Sequence, residues 1–142
     1  MFANTVSAVI WISIVSLMAF AWTKGGRPER FGALAVTLGA VAVLVTHKLL
    51  PPPVQPFLLL IVDAGLAGVF LLLAMRFVSP WLGVAMLLQA VQFSLHAYYL
   101  VVEKPHDYLY KSVNNINTVG VLLCVLVGTL LAWRKKARAR RG

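Results

Sequence analysis

Apolar residues fill five long stretches of the chain, and short segments rich in proline, glycine and charge separate them. The stretches cover residues 3–22, 31–50, 57–78, 81–102 and 113–133. Each has about the 20 residues that a helix needs to cross a bilayer. The pattern predicts an all-α integral membrane protein, a single bundle of five transmembrane helices.

The segments between the stretches have the composition of turns. "TKGGRPER" contains paired glycines, "PPPVQP" cannot continue a helix because proline lacks the backbone N–H, and "EKPHDYLYKS" is the longest polar connection. "SP" is so short that the third and fourth helices must be antiparallel neighbours. The second stretch ends in "THK", so the alternative is four spanning helices plus one shallow or tilted helix.

Composition supports a bilayer as the solvent. Hydrophobic residues make up 61% of the 142 positions and charged residues 12%. Water-soluble domains are nearer half apolar and a quarter charged. A chain this short has too much surface to bury the excess apolar residues in one core.

The basic residues predict an orientation. Of 13 Lys and Arg, six lie in the C-terminal "RKKARARRG", and ten lie on the inner side if residues 134–142 form a cytoplasmic tail. Basic residues favour cytoplasmic loops, which places the N-terminus outside. No basic residue precedes Trp22, so the first stretch is expected to be a retained helix and not a signal peptide.

The same charges suggest partners. The formal net charge is +9, yet no stacking or groove-reading motif accompanies it, so nucleic acid is not expected as a partner. A basic cluster directly after an apolar helix is typical of contact with anionic lipid headgroups. The lone Cys124 can form no internal disulfide.

Polar residues within the fourth stretch, "LLQAVQFSLHAYYL", share one helix face. Gln89, Gln92, His96, Tyr99 and Glu103 are spaced 3, 4, 3 and 4 residues apart, which is the spacing of a single stripe on an α-helix. Groups of this kind are costly in hydrocarbon, so the stripe should face the interior of the bundle.

Asp63, in "LLLIVDAGLAG", reaches a similar depth on the third helix. A carboxylate facing lipid costs about 3 kcal/mol or more, so Asp63 should face inward and either carry a proton or contact a cation. His96 is the expected partner. The small residues that follow Asp63, from Ala64 to Gly68, are expected to allow close helix approach.

Three further side chains are candidates for the same outer-half pocket. Trp11 lies on the first helix, His47 ends the second and Asn117 lies near the start of the fifth. Polar side chains can also act only as interhelical hydrogen-bonding groups, at about 0.6 kcal/mol each. That alternative applies most directly to Gln89, Gln92 and Asn117.

More specific functions, such as haem binding, metal binding or catalysis, have less support in the sequence. His47 and His96 could hold a haem from two helices, but no other cofactor signature is present, and the clustered spacing of a metal site is missing. Motifs for hydrolysis or phosphate binding are also missing. The chain is therefore expected to be neither an enzyme nor a holder of a metal or cofactor.

Three segments carry a family resemblance: "GGRPER", "LLIVDAGL" and "LLQAVQFSLHAYYL". They resemble a group of small bacterial multi-pass membrane proteins that share a GG-x-PER loop, an intramembrane Asp and a Gln/His helix face. His96 and Asp63 match the histidine and the acid of that group. The resemblance implies a bacterial inner-membrane location and no particular reaction. The extended outer loop "EKPHDYLYKSVNN" is a departure from the pattern of the group.

Together these features predict a small accessory or binding protein with a polar pocket in the outer half of the membrane. The rival functions are a small oligomeric transporter or channel subunit for protons or solutes, and a haem- or quinone-binding electron-transfer component. A second copy of the chain or another membrane protein is the expected type of protein partner.

Overall fold

Five helices account for nearly all of the chain. The computed structural model describes residues 2–142, with side chains from residue 4 onward. The helices are α1 (Phe2–Lys24), α2 (Arg27–Leu49), α3 (Gln55–Arg76), α4 (Pro80–Val101) and α5 (Tyr108–Arg141). All five are long and apolar enough to cross a membrane. Residues 2–142 contain no strand, so the predicted all-helical class is confirmed.

The helix ends follow from local chemistry. Proline occupies one of the first two positions of α2, α3 and α4, where its missing N–H has no intrahelical partner to lose. Asp107 caps α5, since its side chain accepts a hydrogen bond from the Tyr110 backbone N–H at 2.9 Å. Such caps pair one of the free N–H groups at a helix start.

Two helices are longer than predicted. α2 begins at Arg27, four residues before the predicted start, because Pro28 and Glu29 form part of its first turn. With 23 residues it is as long as α1, so its length gives no support to a short second helix. α5 begins at Tyr108 and continues to Arg141, so the predicted basic tail is a helical extension.

The helices form a ring in chain order that α5 closes by packing against α1. The helices α1, α3 and α5 all start at the same end of the bundle, which we call the cavity end. The opposite end, which includes the basic extension, is called the tail end. At the tail end, Phe20 and Trp133 pack edge to face with ring centroids 6.1 Å apart. Lys136 donates a hydrogen bond to the Gly25 carbonyl at 2.8 Å, which joins α5 to the α1–α2 turn.

The apolar core lies mainly in the tail half. Phe70, Leu82 and Val125 are fully buried there, and the Trp81 indole lies among them. Gly32 and Gly128 flank Trp81 from α2 and α5. A Cβ at Gly32 would lie 2.8 Å from the ring, and one at Gly128 would lie 2.5 Å from Nε1. Only glycine fits at these two positions.

The outer surface of the ring is aliphatic. Large side chains such as Leu49, Met75 and Val101 are more than 70% exposed, and similar residues cover the other helices. Soluble monomers rarely expose contiguous apolar surface on this scale. The burial pattern therefore agrees with the apolar composition in indicating a multi-pass membrane protein.

The small residues after Asp63 do not make the predicted close approach. A Cβ at Gly65 or Gly68 would meet nothing within 4 Å, and Ala64 is exposed. The prediction was wrong because α3 turns only its Asp63 face inward, so these glycines lie toward the outer surface. Close contacts with neighbouring helices occur instead at glycines of α2 and α5.

Candidate functional site

Asp63 and His96 contact each other in the interior of the bundle. The carboxyl group of Asp63, which is 6% exposed, hydrogen-bonds through Oδ2 to Nδ1 of His96. Its other oxygen, Oδ1, accepts a hydrogen bond from Gln89 Nε2 at 3.0 Å. The expected contact between α3 and α4 is therefore present, and both carboxyl oxygens have partners.

A second polar chain joins α4 to α5. Gln92 donates through Nε2 to Asn114 Oδ1, and its own Oε1 accepts from Asn117 Nδ2 at 3.1 Å. Gln92 and Asn117 are buried. The helical spacing places Gln89, Gln92, His96 and Tyr99 on the inward face of α4, so the predicted stripe holds over these four residues.

The stripe ends before Glu103. α4 terminates at Val101, and Glu103 adopts a left-handed backbone conformation with φ 53°. Its side chain is exposed, so the prediction that it continues the stripe was wrong. Helical spacing stops predicting a common face once the helix has ended.

The two polar chains border a cavity of about 430 Å³. Its polar wall comes from α3, α4 and α5, and its opposite wall, from α1 and α2, is largely aliphatic. The polar wall includes Asp63, Gln89, Gln92, His96, Asn114 and Asn117, and the apolar wall includes Ile10, Ile14, Val36, Ala40 and Val43. Small-molecule sites have volumes of about 300–1,000 Å³ and combine apolar lining with a few polar groups.

Trp11 and His47 also line this cavity, but neither joins the polar chains. Trp11 is half-buried on the α1 wall. His47 is exposed, and its Nδ1 lies 3.2 Å from Gln55 Oε1 across the proline turn. Exposed lining residues, Ser7, Leu44, His47 and Asn115, mark the mouth of the cavity at the cavity end.

Two aromatic residues belong to the site although the sequence did not single them out. His106 stacks on Tyr110, with ring centroids 3.9 Å apart and an angle of 2° between the planes. Both line the cavity. Tyr110 lies four residues before Asn114 and seven before Asn117, so the helical face could have revealed it. No sequence signal distinguishes His106 from an ordinary loop residue.

Asp107 holds the loop that carries His106. It accepts hydrogen bonds from the Tyr99 hydroxyl at 2.6 Å and the Tyr110 N–H at 2.9 Å, and Lys104 Nζ lies 2.9 Å from it. These bonds, the one from Tyr99 above all, hold the pKa of Asp107 far below its ordinary value. Burial lowers the pKa of His106, and the nearby histidines lower it further.

Glu29 forms a separate polar contact at the tail end, which the sequence analysis did not identify. Its Oε2 accepts from the Gly26 N–H at 2.8 Å, and its Oε1 accepts from Trp81 Nε1 at 3.3 Å. Although an acid, Glu29 is 5% exposed. Its place three residues after Gly26, in the first turn of α2, is the position of a capping glutamate, and that spacing was the available signal.

The bundle and its cavity define a class, a multi-pass helical membrane protein with a partly polar interior cavity. No family model, curated protein or solved structure matches the chain. Within residues 2–142, no group of three or more His, Cys, Asp or Glu side chains is placed to hold a metal ion. The function is therefore inferred from the chemistry of the cavity.

Proposed function

We propose that this protein is a bacterial inner-membrane protein that binds a small molecule in the cavity without chemically changing it. The observation that carries the proposal is the cavity itself, with a hydrogen-bonded Asp63–His96 pair on one wall and aliphatic side chains on the other. Packing alone requires no such space, because protein interiors leave few voids larger than a water molecule.

The proposed orientation places the cavity end outside. Ten of the 13 Lys and Arg residues then lie at the cytoplasmic end, as the preference for basic inner loops requires. Replacing Cys124 with serine gives a cysteine-free chain for labelling. Glu103→Cys in that chain should react with a membrane-impermeant maleimide in intact cells, and Arg140→Cys should react only after lysis. The reverse pattern would overturn the orientation.

The basic extension of α5 supports contact with anionic lipid headgroups. Arg134, Arg138 and Arg141 are spaced 4 and 3 residues apart and share one helix face. Lys136 points elsewhere, to the Gly25 carbonyl. A cytoplasmic-leaflet surface attracts such residues by about 1 kcal/mol each.

The binding proposal is tested by purification in a mild detergent followed by native mass spectrometry. A bound small molecule should accompany the wild-type protein and be reduced at least tenfold in Asp63→Asn, which keeps the side-chain shape. Ser94→Ala is the matched control, because Ser94 is exposed on the same helix and its hydroxyl donates to the Ala90 carbonyl of that helix. Equal ligand content in all three proteins, or none in any, would contradict the proposal.

A transport function is the second candidate, because His96, Asp63 and Gln89 form a continuous chain of exchangeable groups. The chain runs toward the middle of the bundle, and beyond it the core around Phe70, Leu82 and Val125 is closely packed. Proteoliposomes should therefore show no proton or solute flux above empty vesicles. A flux that Asp63→Asn abolishes would favour transport over binding. The proton-relay alternative depends on that result.

A further inference from the structure

Asp63 determines which hydrogen-bonding atoms remain open on the polar wall. Gln89 Nε2 faces Oδ1 and His96 Nδ1 faces Oδ2, an arrangement in which an ionised carboxylate accepts from two N–H donors. In that arrangement Gln89 keeps its carbonyl oxygen, and an imidazole that carries its proton on Nδ1 keeps the lone pair on Nε2. Neither atom has another hydrogen-bond partner among the described residues, and both side chains line the cavity.

The open positions beside Asp63 are therefore acceptors. A molecule that fills the cavity must donate hydrogen bonds to them, because two facing acceptors repel and leave both unsatisfied. Buried polar groups without partners are costly, because they have given up their hydrogen bonds to water. A hydroxyl group can donate to one of these acceptors, and its oxygen can accept in turn from the neighbouring Asn114 amide, whose Oδ1 is already occupied by Gln92.

The charged side chains that line the cavity further restrict the chemistry of the ligand's head group. Lys and Arg are absent from the described residues that line the cavity, and Asp63 is its only acidic residue. With the carboxylate ionised and the imidazole neutral, the Asp63–His96 pair has a net charge of minus one. An anionic head group would therefore meet no fixed positive side chain. An ammonium group could donate to the open acceptors, but it would lose its hydration, which is costly for a buried ion, and it would find both oxygens of Asp63 already bonded.

The apolar wall indicates the rest of the molecule. Ile10, Ile14, Val36 and Val43 from α1 and α2 face the polar wall across the cavity. A hydrocarbon chain that packs against these side chains is removed from water, which favours its binding. The exposed residues at the mouth, Ser7 and Leu44 among them, leave a way in from the cavity end.

We infer that the cavity binds an uncharged amphiphile that has a hydroxyl-bearing head group and a single hydrocarbon chain. The head group donates to His96 Nε2 and to the Gln89 carbonyl oxygen, and the chain lies along α1 and α2. This inference rests on the proposed binding function and names the chemical class of its ligand.

Binding can be measured through the fluorescence of Trp11, which lies on the apolar wall of the cavity. Contact with the bromine of a bound probe quenches indole fluorescence. The half-exposed Trp22 and Trp133 are replaced by phenylalanine to remove quenching from the detergent phase. Three probes with the same chain are compared at pH 8: dodecanol, dodecanoic acid and dodecylamine, each with a terminal bromine. Trp11→Phe in the same background measures the signal that remains from Trp81.

Brominated dodecanol should quench Trp11 saturably, with an affinity at least tenfold higher than that of the acid or the amine. His96→Phe should weaken the alcohol at least tenfold, and Ser94→Ala should leave its affinity unchanged. A tenfold loss corresponds to about 1.4 kcal/mol, close to what one lost hydrogen bond contributes.

The outcomes separate the ligand class from the binding function. Tighter saturable binding of the acid or the amine would overturn the hydroxyl head group and leave the binding function intact. The absence of saturable quenching by all three probes would also overturn the inferred class. The binding function would then be tested by the co-purification experiment alone. If the protein purified there without a bound small molecule, both proposals would be wrong.

Discussion

The two halves of this helical bundle use their interiors differently. In the tail half, an indole fills the space between two glycines and donates to a buried carboxylate, Glu29. In the cavity half, a buried carboxylate, Asp63, contacts a histidine and a glutamine beside about 430 Å³ of open space. Both halves bury one acid, but in the cavity half the acid borders a space large enough for another molecule.

The difference teaches where stability and binding are located. In a membrane, helices associate through close packing more than through hydrophobic burial, so the glycine–tryptophan contacts should contribute most to holding the helices together. The hydrogen bonds of the cavity half join helices that are already held elsewhere. Changes in the tail half should therefore unfold the protein, and changes in the cavity half should alter binding.

The largest effect is expected from Gly128→Ala. The new methyl would lie 2.5 Å from Trp81 Nε1, and Trp81 cannot move away because Gly32 closes the other side of its ring. Overpacking of this kind costs about 2–3 kcal/mol. The loss should appear in the midpoint of unfolding by sodium dodecyl sulfate. Gly65→Ala is the control, since its methyl meets nothing within 4 Å and should leave the midpoint unchanged or slightly higher.

A smaller loss is expected from Trp81→Phe. Phenylalanine replaces only the six-membered part of the indole, so the pyrrole ring is lost together with its N–H, which reaches Glu29 Oε1 at 3.3 Å. A buried acceptor left without its donor costs about 1–2 kcal/mol. Glu29→Gln in the same assay keeps an oxygen for the indole and should cost less. If Trp81→Phe were as stable as wild type, the proposed role of this hydrogen bond in the tail half would be wrong.

His96→Ala should change stability less than either tail-half variant. It removes one interhelical hydrogen bond, to Asp63, and such bonds average about 0.6 kcal/mol in membrane bundles. Asp63 keeps its bond from Gln89 and can contact water in the cavity. The same unfolding assay measures the effect, with Ser94→Ala alongside. A loss larger than that of Gly128→Ala would reverse the proposed division between the halves.

The smallest effect is expected in the α4–α5 loop on acidification. The pKa of Asp107 is lowered in the folded protein, so its ionised form stabilises the loop above the ordinary carboxyl pKa of about 4. That contribution is lost as the pH falls through the lower, folded value. The melting temperature of the wild-type protein should therefore decrease below about pH 4. The part of this decrease that comes from Asp107 should be absent in Asp107→Asn. An identical acid dependence in both proteins would contradict this role for Asp107.

The sequence alone determined the elements and several of their faces. Proline and glycine break the apolar stretches into five helices, and the 3.6-residue period places Gln89, Gln92 and His96 on one side of α4. The cost of exposing a carboxylate to hydrocarbon was enough to turn Asp63 inward. These are local properties, since each depends on one segment and on the solvent around it.

Tertiary structure decided which faces meet and how much space remains between them. The contact of Trp81 with Gly32, Gly128 and Glu29 brings together residues from three helices. The stacking of His106 on Tyr110 depends on how Asp107 holds the loop, and Gly65 lies away from every neighbouring helix. Such contacts depend on the volumes of side chains far apart in the chain, which no periodicity within a single helix encodes.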